Sequence, residues 1–234
     1  MYVTFDHSEN LTNGIATFWF KSDTVVDYQA GQFIELSLPH NKPDSRGLKR
    51  WFTLSSSPTE DLLGITTRYT KMRPSSFKKT LLELEPGTKV SFSDPMGDFV
   101  LPIDENIPLL FVAAGIGITP VRSIVKSLID SGQKRSINII YGAKDTNDLV
   151  FLPTFTRYGL KPIVILTNDN YAQSSRIGRI EAQDILDVYD RQTNGLIFIS
   201  GPGQMVESLE SGLIAASISP EQLVLDYFPG YPAT

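Results

Sequence analysis

The sequence predicts two domains, an antiparallel β-barrel over residues 1–104 followed by an α/β domain with a parallel sheet over residues 105–234. Three features point that way. From Met1 to about Leu101 apolar residues recur with period two between turn signals, the mark of half-buried antiparallel strands. After Asp104 short apolar runs alternate with helical patterns, which implies right-handed crossovers and a parallel sheet with helices on both faces. Where the two textures meet, Leu109 to Pro120 reads LLFVAAGIGITP: an apolar run of strand length, a glycine turn and a helix start.

In the first domain Thr12-Asn13-Gly14 is a turn before a strand from Ile15 to Lys21, and Gln29-Ala30-Gly31 is another before QFIELSL. The polar segment His40 to Arg50, with Pro43 and Gly47, reads as a loop. RWFTLSSSP and LGITTRYTK are strands on either side of a turn from Pro58 to Asp61. A short helix interrupts the barrel, with Ser75 or Ser76 as its cap, Phe77, Leu81, Leu82 and Leu84 inward and Pro86-Gly87 as its stop. TKVSFSD and PMGDFVLP close the barrel, and IDENIP links the domains. In the second domain Thr119 is the expected N-cap, Pro120 the first helical residue and Gly132 the stop. INIIYGA, PIVILTN, LIFISGP and QLVLDYF continue the strands, with helical patterns between them.

Composition narrows the chemistry. A 41% hydrophobic and 20% charged composition is ordinary for a water-soluble globular chain, and a net charge of -5 gives no electrostatic reason to expect nucleic acid as a partner. There is no cysteine, so disulfides, a catalytic thiol and cysteine-ligated iron–sulfur clusters are excluded from this chain. His7 and His40 alone cannot make a histidine metal cluster. No apolar run is long enough for a membrane span and no signal peptide is evident, so the expected compartment is the cytoplasm.

Two constellations carry chemistry. In a parallel sheet ligands gather at the C-terminal ends of the strands. The relevant ends here hold Ala113 to Pro120, Gly142 to Lys144, Asn168 to Asn170 and Ser200 to Gly203. Gly115 and Gly117 allow close approach of backbone to a bound group, and the helix N-terminus favours a phosphate, so a dinucleotide is the natural ligand. In the barrel, Arg50 and Phe52 project to one face of a strand and Thr53 follows. A cation, an aromatic ring and a hydroxyl in this order suit a flavin: phosphate binding, ring stacking and a hydrogen bond to the ring.

Joined to Gly31-Gln32-Phe33, Arg73-Pro74-Ser75-Ser76, Pro95-Met96-Gly97-Asp98-Phe99, Gly115 to Pro120 and Ser200-Gly201-Pro202, these motifs make the chain resemble the ferredoxin–NADP reductase family of flavoproteins over almost its whole length. The resemblance implies that Arg50 holds flavin phosphate, Phe52 stacks on the ring with phenylalanine in place of the family's tyrosine, and Thr53 lies near N5. It places Arg68, Tyr69 and Thr70 along the ribityl chain and pyrimidine side, and Ser75 and Ser76 at the pyrophosphate. Gly115, Gly117, Thr119 and Pro120 resemble the nicotinamide dinucleotide loop. Ser200, Gly201 and Pro202 stand where the family usually has Cys-Gly-Pro, so a hydroxyl replaces the sulfur beside the nicotinamide. An aromatic near the C-terminus covers the flavin in the family; Phe228 is the candidate, with Tyr231 second. Lys144 and Arg176, with Ser175, suit a 2′-phosphate and favour NADPH, whereas Asp169 between Asn168 and Asn170 suits a ribose diol and favours NADH.

The expected activity is that of an NAD(P)H-dependent flavoprotein reductase. FAD, or less readily FMN, takes hydride from the nicotinamide dinucleotide and passes electrons to a separate acceptor protein such as a ferredoxin or flavodoxin. The alternative is a non-catalytic flavin electron-transfer subunit of a larger complex, for which Ser200 is the motive.

Overall fold

A computed structural model describes residues 1–70, 72, 74–168, 174–191 and 194–228, and only the backbone of residues 174, 175, 227 and 228. The first sheet has six antiparallel strands, β1 (Tyr2–Thr12), β2 (Ile15–Ser22), β3 (Phe33–Ser37), β4 (Lys49–Thr53), β5 (Leu63–Arg68) and β6 (Lys89–Phe92), in the order β4-β3-β6-β1-β2-β5. A bridge from Leu54 to Ile65 joins the two edge strands and closes the sheet into a barrel, which leaves no long open edge. Alternation sends Val3, Phe5, Phe18, Phe20, Ile34, Leu36 and Phe92 into one core. Helix α1 (Ser76–Leu82) plugs one end with Phe77 and Leu81, while Leu82, expected inward, faces solvent one position round the helix and Leu84 packs in part on the same core. Ser75 is its cap, its hydroxyl accepting from the Lys78 amide at 3.2 Å.

The second sheet is wholly parallel: β7 (Leu109–Ala114), β8 (Ile137–Ala143), β9 (Ile163–Leu166), β10 (Ser174–Ile177), β11 (Leu196–Pro202) and β12 (Leu223–Phe228), ordered β10-β9-β8-β7-β11-β12. Helices α2 (Thr119–Ser131), α3 (Leu152–Arg157), α4 (Ala182–Leu186) and α5 (Gly203–Ala215) cover it. The central strands are buried on both faces, which is why LLFV and LIFI read as unbroken apolar runs and INII is interrupted only by Asn138, exposed near the start of its strand. The predicted fold class is the observed one, with two local differences. Strand β10 is absent from the periodicity because SSRI is a short, mostly polar sequence at the edge of the sheet. Thr119 is not a cap: residues Gly115–Ile118 already form a 3-10 turn, so Thr119 is the first α-helical residue and its hydroxyl donates to the Ile116 carbonyl at 2.9 Å. Gly132 ends α2 in the left-handed region, as expected.

The two sheets share a core. Ile15 and Ala30 of the barrel, and Phe99 after it, pack in one cluster with Phe111, Ile124 and Phe198 of the second domain. Phe99 and Phe198 meet edge to face at 5.0 Å.

Candidate functional site

The C-terminal ends of the parallel strands open on a cavity of about 960 Å³, within the size range of cofactor pockets. The turn Gly115–Gly117 after β7, Gly142 to Lys144 at the end of β8 and Gly201-Pro202 on β11 help form its walls. The two glycines of the turn do different work. Gly115 lies in the left-handed region at φ +55° with open space where a Cβ would stand. Gly117 packs so tightly that a Cβ would lie 2.3 Å from the Ser200 carbonyl oxygen. Thr119 and Pro120 are buried behind this turn.

The cationic wall differs from the sequence expectation. Lys144 lines the cavity, and Arg176 does not. The Arg176 guanidinium is taken up by Asp184, with Nε to Oδ1 at 2.9 Å, and by Glu181, which raises its pKa and fixes it against the start of α4. Arg179, three residues on, is the arginine in the wall. Sequence reasoning missed it because Arg176 and Arg179 are equivalent until the partner of each is known. Asp169, Asn170 and Tyr231 lie outside the described residues, as do the side chains of Ser175 and Phe228.

Ser200 is buried at the seam of β7, β11 and β12, and its hydroxyl donates to Asp226 Oδ2 at 3.1 Å. Burial pushes the Asp226 carboxyl up to about 6, against the lowering effect of that hydrogen bond.

On the barrel side, Arg50 and Phe52 share a face of β4 and both meet Phe77. The Arg50 guanidinium stands 5.0 Å from the Phe77 ring centre, and the Phe52 ring 6.0 Å from it. Arg50 also donates to the carbonyls of Arg46, Gly47 and Lys49 and to Asp44 at 3.1 Å, so it anchors its own loop. The Arg46 guanidinium beside Asp44 holds that carboxyl down at about 2. Thr53 is buried, and its hydroxyl oxygen has no hydrogen-bond partner among the described residues. Such an orphan costs about 1–3 kcal/mol and marks a place where a bound polar group would be stabilising.

The other barrel candidates divide. Arg68 reaches across to the second domain and pairs with Asp148 at 2.8 Å on the cavity wall. Tyr69 turns back to Asn10, donating to its Oδ1 at 2.9 Å, and Thr70 is exposed, so neither borders the cavity. The Ser76 hydroxyl accepts from the Asp44 amide and meets His40, holding the loop before β4 against α1. Arg73 is outside the described residues. Lys78 is a residue sequence reasoning passed over. Burial, with Arg46, Arg68 and Arg50 nearby, brings its ammonium down to about 8, so four cations gather here around few carboxylates. One of two adjacent lysines on a helix carries no sequence signal for this.

With this geometry in view, likeness to known proteins becomes informative. A family profile described as an oxidoreductase NAD-binding domain matches residues 111–211. The ferredoxin reductase component of 3-ketosteroid-9-alpha-monooxygenase from Mycobacterium tuberculosis is 28% identical over 204 residues, 86% of this chain and 55% of that protein. An NADPH oxidoreductase from the same species is 35% identical over 128 residues, 53% of this chain and 33% of its own. The crystal structure of a ferredoxin NADP+ reductase from Neisseria gonorrhoeae with bound FAD and NADP superposes with a TM-score of 0.81 at 15% identity, over 97% of this chain and 98% of that one. The chain has the two-domain fold of that reductase, with an oxidoreductase NAD-binding domain over residues 111–211. It spans little more than half the length of the monooxygenase reductase component it resembles. Among the described residues no helix is long and apolar enough to cross a membrane, and no cluster of side chains suits a metal ion.

Proposed function

We propose that this chain is an NAD(P)H-dependent flavoprotein reductase that holds FAD against β4 and α1, binds the nicotinamide dinucleotide in the 960 Å³ cavity and passes electrons to a separate redox protein. The observation that carries the reading is Thr53, a buried hydroxyl without a partner on the strand whose other face offers Arg50 and Phe52. The residues present fit a flavin. Phe52, packed against the buried Phe77, offers aromatic surface, and Arg46, Arg50, Arg68 and Lys78 supply the positive charge that a pyrophosphate needs and FMN would use only in part. When bound, the flavin accepts a hydride from reduced nicotinamide and releases electrons singly or in pairs to an acceptor. The protein supplies position: Thr53 orients the reacting edge of the ring, the glycine turn seats the dinucleotide phosphates, and the shared core excludes water between them. Lys144 and Arg179 favour a 2′-phosphate, so NADPH is the expected donor. The likeness to reductase components of oxygenase systems supports a separate acceptor, and the domain boundary is placed between residues 104 and 105, in the segment that links β6 to β7.

The deciding experiment is an anaerobic titration of FAD-reconstituted protein with NADPH and, separately, NADH, following the visible flavin band. Bleaching at lower NADPH than NADH is expected. One specific observation favours a second reading, a flavin electron-transfer subunit that no longer oxidises nicotinamide: the Ser200 hydroxyl is engaged by Asp226. A spectrum that stays yellow with both nucleotides would support that subunit and overturn the reductase.

A further inference from the structure

Transfer between two bound rings depends on alignment, and a misplacement of about 1 Å costs roughly 100-fold in rate. The half-sites of this chain lie in different domains, so something must fix their register. Thr53 runs directly into Ser55–Ser57, and the glycine turn runs directly into α2. These two segments are fastened together. Arg122, one turn into α2, makes a two-pronged pair with Glu60, Nη1 to Oε2 and Nη2 to Oε1 at 2.9 Å, and Nη1 also donates to the Ser55 carbonyl at 2.9 Å. Ser123, next on the helix, donates to the Ser56 carbonyl. Glu60 holds the far side of the same segment, accepting from the Ser57 amide at 2.7 Å. The guanidinium is sandwiched between Trp19 of the barrel at 5.9 Å and Phe151 of the second domain at 5.7 Å. Both charged side chains are largely buried, at 11% and 18% exposure, which makes the pair stiffer than a surface ion pair.

We infer that Arg122 and Glu60 are a positioning pair that sets the distance between the flavin half-site at Thr53 and the dinucleotide half-site at Gly115–Gly117. The rate consequence rests on the reductase reading above; the geometric one does not. Neither side chain lines the large cavity, so the pair acts through the segments it joins. A contact at the same seam provides a comparison. Thr59 donates to Asp130 two turns further along α2, farther from the glycine turn, and reaches the segment after Thr53 only at its far end, through Ser57.

The test uses Glu60→Gln, Arg122→Ala and Arg122→Lys in the FAD-reconstituted protein, with Asp130→Asn as the control. Stopped-flow reduction at saturating NADPH should slow about 10- to 100-fold in Glu60→Gln and Arg122→Ala. It should recover in part in Arg122→Lys, which keeps the charge and loses the fork. The nucleotide dissociation constant should stay within about twofold, because neither side chain lines the large cavity. Asp130→Asn should reduce at the wild-type rate. A second readout is independent of turnover. The chain has no cysteine, so Val25→Cys in the barrel and Lys134→Cys in the second domain, both exposed, can carry spin labels. The distance distribution between them should broaden in Glu60→Gln and stay narrow in Asp130→Asn. An unchanged distribution overturns the proposal, as does a loss of rate explained by weaker nucleotide binding or less folded protein. If Arg122→Ala does not fold, Glu60→Gln, which keeps the side-chain volume, decides alone. If neither nucleotide reduces the wild type, the reductase reading has failed by itself and the distance measurement still decides the role of the pair.

Discussion

At the scale of single residues, two buried polar groups are out of balance in the protein alone. Thr53 buries a hydroxyl with no partner, at a cost of about 1–3 kcal/mol. Thr53→Val keeps the shape and removes the orphan. The flavin-free variant should therefore be as stable as the wild type or about 1 kcal/mol more so in urea unfolding, while the FAD-loaded variant is reduced more slowly. A loss of 2 kcal/mol or more would mean that the hydroxyl has a partner in the folded chain. Asp226 is the second case. Its carboxyl is raised to about 6 from an ordinary 3.8, so between these values the folded chain keeps a proton that the unfolded chain has released. The stability this confers is complete below about pH 4 and is lost as pH rises through 6. Above that, holding the charged form in place costs about 3 kcal/mol, since each tenfold change in proton affinity is worth roughly 1.4 kcal/mol. Asp226→Asn should thus gain up to about 3 kcal/mol on the wild type at pH 8 and nothing at pH 4. Equal gaps at both pH values would remove Asp226 from this account.

At the scale of elements, the strand, glycine turn and helix at Leu109 to Ser131 are the most legible part of the chain, because burial on both faces leaves four apolar residues in a row and a glycine stop is chemically unambiguous. The turn itself was less legible. Both glycines look alike in sequence, yet Gly117 is required by backbone at 2.3 Å and Gly115 by its dihedral angle. Gly117→Ala should cost about 1–3 kcal/mol by forcing the turn off β11. Gly115→Ala should cost about 1 kcal/mol in left-handed strain and weaken the dinucleotide, since its methyl enters the cavity. Urea unfolding and nucleotide titration of both variants check the order; greater destabilisation by Gly115→Ala would contradict it. The same blindness to partners explains Arg176 and Arg179, which only Asp184 tells apart, and β10, whose four polar-rich residues sit at a sheet edge without an apolar pattern.

At the scale of the whole molecule, periodicity predicts two domains but not how they meet, because the contacts at the seam join residues about 60 to 100 positions apart: Phe99 to Phe198, Ser123 to Ser56 and Arg68 to Asp148. Arg68 shows the consequence most clearly. By motif it belongs to the flavin strand, and by geometry it crosses the seam to a buried carboxylate whose second oxygen has no partner. Removing the cation alone would leave that carboxylate wholly uncompensated, the costly way to break a buried pair. Arg68 is half-exposed, so solvent replaces part of what it gives. Arg68→Ala should therefore lower the unfolding free energy by about 1–2 kcal/mol, well short of the 3–5 of a fully buried pair. Asp148→Asn leaves a cation that water can solvate and should cost less than 1 kcal/mol. The double variant should then be more stable than Arg68→Ala alone, since no orphan charge is left. High salt should shrink the effect of Arg68→Ala, because the exposed half of the pair is screened. If the losses from the two single variants simply add, with no dependence on salt, the two side chains are neighbours without coupling, and the seam is held by its apolar core and the Arg122 pair instead.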